Sequence, residues 1–162
     1  LRCLRPDARH RACAQAHPKD RVTPNIFLIV GAALSAMAAL LHICVIFGGP
    51  AWYRFFGAGE RMAVGAAAGH WYPPIVTLLI AGVLGVWAAY ALSGAGVLQP
   101  LPLLAFVLPA ITAVYLLRGM VAVGLFVFDR RRLNAFWVWS SAICLVFGIF
   151  HLVGLIQVWD RL

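Results

Sequence analysis

The sequence predicts an all-α membrane protein: four transmembrane helices in an antiparallel, up-down-up-down bundle, with an interfacial or re-entrant loop between the first two. Three observations predict it. Hydrophobic residues make up 64% of the chain and Asp, Glu, Lys and Arg only 11%, against about 25% in an ordinary soluble domain. A chain of 162 residues could not hide that much apolar surface in water, because small domains leave much of their surface exposed. The apolar residues also fall in four runs, each long enough for the hydrocarbon core of a bilayer.

Residues 1–25 are polar, Arg-rich and aperiodic, with Pro6, Pro18 and Pro24. They read as a disordered basic tail. The chain opens on Leu1 rather than Met, so the tail is read as possibly non-native. The apolar run behind it is too long for a signal peptide and lacks a cleavage site.

The first run is Ile26 to Phe47, which as a helix spans ~33 Å, enough for a core of ~30 Å. The second runs from about Pro73 to Ser93, with an uncharged flank from Met62 that allows an earlier start and a bend at Pro73-Pro74. The third runs from Leu101 to Phe128, interrupted by Arg118, and the fourth from Ala135 to Trp159. The connection from Gly48 to Arg61 mixes aromatics, glycines and charge, which suits a segment at the membrane surface. The next two, Gly94 to Pro100 and Asp129 to Asn134, are short and imply antiparallel neighbours.

Trp137, Trp139 and Trp159 mark the ends of the fourth helix, and Trp52, Tyr53, Trp71 and Tyr72 flank the first connection. They read as belt aromatics at the water–lipid boundary. The net charge of +8 lies mainly in the tail and in Asp129-Arg130-Arg131-Arg132. It fits topology control and contact with anionic headgroups rather than nucleic acid. With the tail set aside, Arg54, Arg61 and the Arg130–Arg132 run place the first and third connections in the cytoplasm.

Small residues mark packing faces where lipid removes the hydrophobic drive between helices. Four stripes are expected to meet inside the bundle. They are Gly31, Ser35, Ala38 and His42; Gly82, Gly85, Ala89 and Ser93; Tyr115 and Arg118; and Trp137, Ser141, Cys144, Gly148 and His151.

Arg118 carries the functional expectation. It stands about ten residues from its helix end, so ~15 Å deep. A charge there costs at least ~2.5–3.5 kcal/mol and normally finds an interior partner. Glu60 is the one acid away from a terminus or the basic connection, so it is expected to fold inward and pair with Arg118. A site of Arg118, Glu60, His42 and His70 is expected under the first connection, with Tyr115 one turn from Arg118 and His151 extending it inward as a proton step. Snorkelling, or a tie to neighbouring carbonyls, is the bland alternative for Arg118. For each histidine the alternative is a bond to a neighbouring helix.

No cofactor is predicted. His42, His70 and His151 invite a haem or metal reading, but His42 and His151 differ in depth by ~15 Å on ideal helices, far beyond metal–nitrogen bonds of ~2.0–2.1 Å. Cys3, Cys13, Cys44 and Cys144 show no metal-ligand spacing. GxSxG, HExxH and P-loop signatures are absent, and Gly57-Ala58-Gly59 lacks a strand–turn–helix context.

The string FGGPAWYRFFGAGERMA, followed by AGHWYPP, ALSGAG, YLLRG and HLVGL, resembles a group of small bacterial four-helix membrane proteins. That resemblance covers residues 26–159 and implies an inner-membrane location with no mechanism attached. Trp71-Tyr72-Pro73-Pro74 followed by Trp87 and Tyr90 is similar to the aromatic, proline-rich pattern of the TspO/translocator family. That family has five helices and binds porphyrins and sterols, so the similarity implies a ligand-binding alternative.

Three functions are therefore expected in competition. One is a module that binds or transports a small polar or amphiphilic ligand around Arg118, with membrane lipids and further copies of the chain as partners. The others are an accessory subunit without a ligand, and a membrane enzyme acting on a lipid or quinone.

Overall fold

The computed structural model describes residues 23–131 and 135–162. The expected tail is thus described only in its last three residues, and Arg132 and Asn134 of the third connection lie outside the described residues. Among the described residues the fold is all-helical. The elements are α1 (Ile26–Phe55), α2 (Glu60–Ala67), α3 (Tyr72–Gly94), α4 (Leu104–Phe128) and α5 (Ala135–Val158), with a 3-10 turn at Trp159–Arg161. Four of them, α1, α3, α4 and α5 with its final turn, are long and apolar enough to cross a membrane. Their outward faces carry exposed Leu40, Phe47, Leu79, Leu117, Phe128 and Ile156. A soluble monomer rarely exposes such contiguous apolar surface, so this is a multi-pass membrane protein.

Asn25 begins α1. Its Oδ1 accepts the Leu28 N–H at 3.0 Å, the usual N-cap bond. Its backbone N–H reaches Ala95 O at 3.0 Å, and its Nδ2 donates to Gln157 Oε1 at 2.8 Å. Composition groups Asn25 with the tail, but it ties the start of α1 to the ends of α3 and α5.

The first connection is more helical than its glycines suggest. The helix breaks at Gly49, whose φ of 63° suits glycine, and resumes at Pro50, a residue favoured in a first turn. It continues to Phe55, and α2 starts after Gly59 at φ 95°. Tyr53 is buried, not at the belt: its hydroxyl lies 3.1 Å from Thr77 Oγ1. Thr77 gives its own proton to Pro73 O at 2.8 Å, so Tyr53 is the donor. Tyr53 also packs with Val45 and Ala63 of α2. The break before α3 comes at a turn through Gly69, φ 72°, rather than by a bend at Pro73-Pro74, because Pro73 sits in the first turn of α3. The third apolar helix starts at Leu104 instead of Leu101. Ser93 Oγ holds the preceding turn, donating to Gln99 O at 3.0 Å and accepting the Leu101 N–H at 2.9 Å.

The closest helix pairs are α1 with α3 and α4 with α5; α1 also packs along α5, and α3 more lightly along α4. Residue levels follow from contacts. Asn25 meets Gln157, and Leu28 and Gly31 lie against Gly154 and His151. Likewise Leu116 lies against Gly148, Gly119 against Leu145, and Ala122 against Ser141. At Gly119 an added Cβ would stand 2.8 Å from the backbone of Leu145, so glycine sets the spacing of α4 and α5.

Candidate functional site

Arg118 finds hydroxyls and an indole instead of Glu60. Its Nη2 donates to Ser140 Oγ at 2.7 Å and its Nη1 to Ser141 Oγ at 3.3 Å. The guanidinium carbon sits 5.0 Å from the Trp137 ring centroid, a cation–π contact. Both serines and Trp137 lie on the first two turns of α5. Since Gly119 is level with Leu145 and Ala122 with Ser141, the guanidinium is displaced about five residues toward the Asp129 end, or ~7.5 Å. The long stem crosses apolar surface while the charge rises toward the membrane edge. Helix carbonyls are not its described partners, and the tie runs through serine.

Glu60 lies at the surface, 65% exposed, in a two-pronged ion pair with Arg54: Nη2 to Oε1 is 2.8 Å and Nε to Oε2 is 3.0 Å. That hydrogen bond and the charge of Arg54 hold the Glu60 carboxyl below its usual range, although burial opposes this. The pairing of Glu60 with Arg118 is therefore overturned. Six residues separate Glu60 from a guanidinium on the same surface, whereas Arg118 lies within the membrane.

Tyr115 and His151 do meet, deep in the core. Ser35 Oγ and Tyr115 Oη are 2.9 Å apart and hydrogen-bonded. The Tyr115 ring lies 5.1 Å from the His151 ring, 5.0 Å from Trp87 and 5.5 Å from Phe147. His151 is 0% exposed, and an added Cβ at Gly31 would stand 2.8 Å from its Cε1. Its Nδ1 lies 2.8 Å from Phe147 O. A carbonyl only accepts, so Nδ1 carries the proton, and in the neutral ring Nε2 is left as an acceptor. That Nε2 is buried with no hydrogen-bond partner among the described residues.

His42 is half-buried and gives its Nδ1 proton to Ala38 O at 2.7 Å. It stands about eleven residues along α1 from Gly31, the level of His151, so the two rings are ~16 Å apart in depth. His70 is exposed and lines an open crevice of about 280 Å³ with Gly49, Tyr53, Gly69 and Trp71. The expected cluster of His42, Glu60, His70 and Arg118 is thus not assembled. Among the described residues no group of three His, Cys, Asp or Glu could hold a metal ion.

The small-residue stripes fare unevenly. Gly31, Ser35, Ser141, Gly148 and His151 are buried, and Ala38, His42, Cys144 and Trp137 half-buried. On α3 the expected face is wrong at Gly82 and Gly85, which are exposed with open space beside them. The packed face is Thr77, Ala81, Ala88 and Ala91, a second stripe of small residues with equally regular spacing. The sequence reading found no base beside Ser140, now a partner of Arg118, and left Asn25 in the tail. An asparagine directly before an apolar run was the available signal for the latter.

Compared with protein-family models, with curated proteins and with solved structures, the chain matches none.

Proposed function

We propose that this chain is a bacterial inner-membrane protein, an up-down-up-down bundle of four spans with α2 as its interfacial segment. It binds, and as an oligomer transports, a small polar or amphiphilic ligand at an intramembrane site around Arg118. One observation carries the reading: a half-buried guanidinium within an apolar helix whose described partners, Ser140, Ser141 and Trp137, are all neutral. A cation in lipid normally faces a counter-charge or lines a ligand path. Glu60 is engaged with Arg54 and does not supply that charge.

The test is Arg118→Leu. The expected outcome is a protein that keeps its helical circular dichroism and elutes as the wild type in detergent. It should lose the small molecules or lipids that native mass spectrometry finds bound to the wild type. An identical set of adducts on both proteins would refute the reading. The accessory-subunit alternative draws on the same bonds, because Arg118 also joins α4 to α5 beside the close contact at Gly119. In that case Arg118→Leu lowers thermal stability and leaves the adducts unchanged.

A further inference from the structure

We infer that Arg118, together with Ser140 and Ser141, forms an oxyanion site, built for a phosphate or carboxylate that approaches α4 and α5 from the Asp129 end. The inference rests on the reading of Arg118 as a ligand site and names the ligand's chemistry.

The donor count carries it. A guanidinium has five N–H donors, and the described contacts use two, one to each serine. Three remain. Ser141 Oγ also accepts the Ala122 N–H at 3.2 Å, so two donors occupy its lone pairs. Thr77 and Thr112 give their hydroxyl protons to the carbonyl four residues back. Ser140 and Ser141 make no such bond among the described residues and act there as acceptors, which leaves both O–H protons to donate. Guanidinium N–H groups and the half-buried Ser140 hydroxyl therefore lie together with donors in excess and a full positive charge. Ionised oxygen acceptors form the strongest bonds to such a set. A neutral amphiphile would leave the charge unmatched in a medium where that is costly.

Position selects the route. The guanidinium lies ~7.5 Å below the end of α4, with Arg130 stacked on Phe126 at 4.1 Å nearer that end. That depth is within reach of a lipid headgroup that sinks slightly, and of a free anion from the water beyond it. The shared chemistry is the oxyanion.

The experiment exposes the full chain in a neutral detergent to an equimolar mixture of phosphatidic acid and diacylglycerol with identical acyl chains, then counts adducts by native mass spectrometry. The wild type should retain phosphatidic acid about tenfold over diacylglycerol, one charge-assisted bond's worth. Arg118→Gln should bring the two to parity. Arg130→Gln removes an equal charge nearer the surface and should leave the preference standing; an equal loss there would overturn the inference in favour of surface attraction. If wild type retains both lipids alike and Arg118→Gln loses both, the oxyanion fails and the ligand site survives. If Arg118→Gln changes nothing, both fail. Should Arg118→Gln not fold, Ser140→Ala with Ser141→Ala keeps the cation and should cut the preference severalfold; an unchanged preference overturns the inference. A second arm titrates inorganic phosphate and follows tryptophan emission. A saturable, Arg118-dependent change assigns the site to a free anion, and none assigns it to a lipid headgroup, provided the lipid preference is seen. Absence of both the phosphate response and the lipid preference overturns the inference.

Discussion

The α1–α5 seam and the α4–α5 seam are both closed by glycines, yet they treat polar groups in opposite ways. Along α1–α5, Gly31 lies under the His151 ring and Gly154 under Leu28. The polar groups in the middle of that seam are neutral and fully buried: Ser35 and His151 are both 0% exposed. Along α4–α5, Gly119 and Gly148 bring the backbones together, but Arg118, Ser140 and Trp137 stay half-open. Glycine controls how near two helices come. Charge controls how deep a polar group can be sealed. A neutral imidazole tolerates the core with one bond, while the guanidinium uses its stem to leave it.

Gly119 is where the two seams should differ most in their tolerance of bulk. A valine there meets the backbone of Leu145, which cannot swing aside, so α4 and α5 must separate. Overpacking of this kind costs about 1–3 kcal/mol. Gly31→Val meets the His151 side chain instead, and a side chain yields more readily than backbone. Denaturant unfolding in detergent should therefore rank Gly119→Val as the more damaging. The reverse order would mean that the α1–α5 seam, not α4–α5, fixes the spacing.

Asn25→Ala acts at the mouth of the α1–α5 seam. It removes the cap on Leu28 N–H and the bond to Gln157. The expected loss is about 1 kcal/mol, read by the same unfolding assay, with faster amide exchange in the first turn of α1. No loss would show that the cap is replaced by water at the membrane surface.

Much of this architecture was legible because apolar run length reports bilayer thickness directly. The four spans follow from Ile26, Pro73, Leu101 and Ala135 within a few residues. What stayed hidden has a common cause. These helices are apolar on every side, so periodicity does not say which face packs. On α3 two small-residue stripes competed, and the one through Thr77 and Ala81 is the packed one while Gly82 and Gly85 face outward. The same blindness affects the site. Depth and charge singled out Arg118, but partner choice depends on side-chain reach. Glu60 met Arg54 only six residues away, and Ser140 was missed because it sits one position off the spacing that marked Ser141. Tyr115 and His151 lay on faces the stripes had marked, and these do come together.

The smallest loss is expected at His151. His151→Leu removes two polar atoms of different standing. Losing the Nδ1 proton frees Phe147 O, but that carbonyl is the ordinary helix partner of the residue-151 N–H, so it stays satisfied. Losing Nε2 removes a buried acceptor that had no partner among the described residues, and such a group disfavours the folded state by about 1–3 kcal/mol. Leucine is of similar volume, and volume-conserving swaps usually cost less than about 1.5 kcal/mol. The two contributions oppose each other, so the expected loss of stability is at most about 0.5 kcal/mol, the largest swap cost less the smallest relief. A loss above about 2 kcal/mol would show instead that Nε2 is hydrogen-bonded in the membrane, by an internal water or a rotated Tyr115 hydroxyl, each worth a bond that leucine cannot make. The α1–α5 seam would then hold an engaged polar centre of its own, and the contrast with Arg118 would narrow to charge alone.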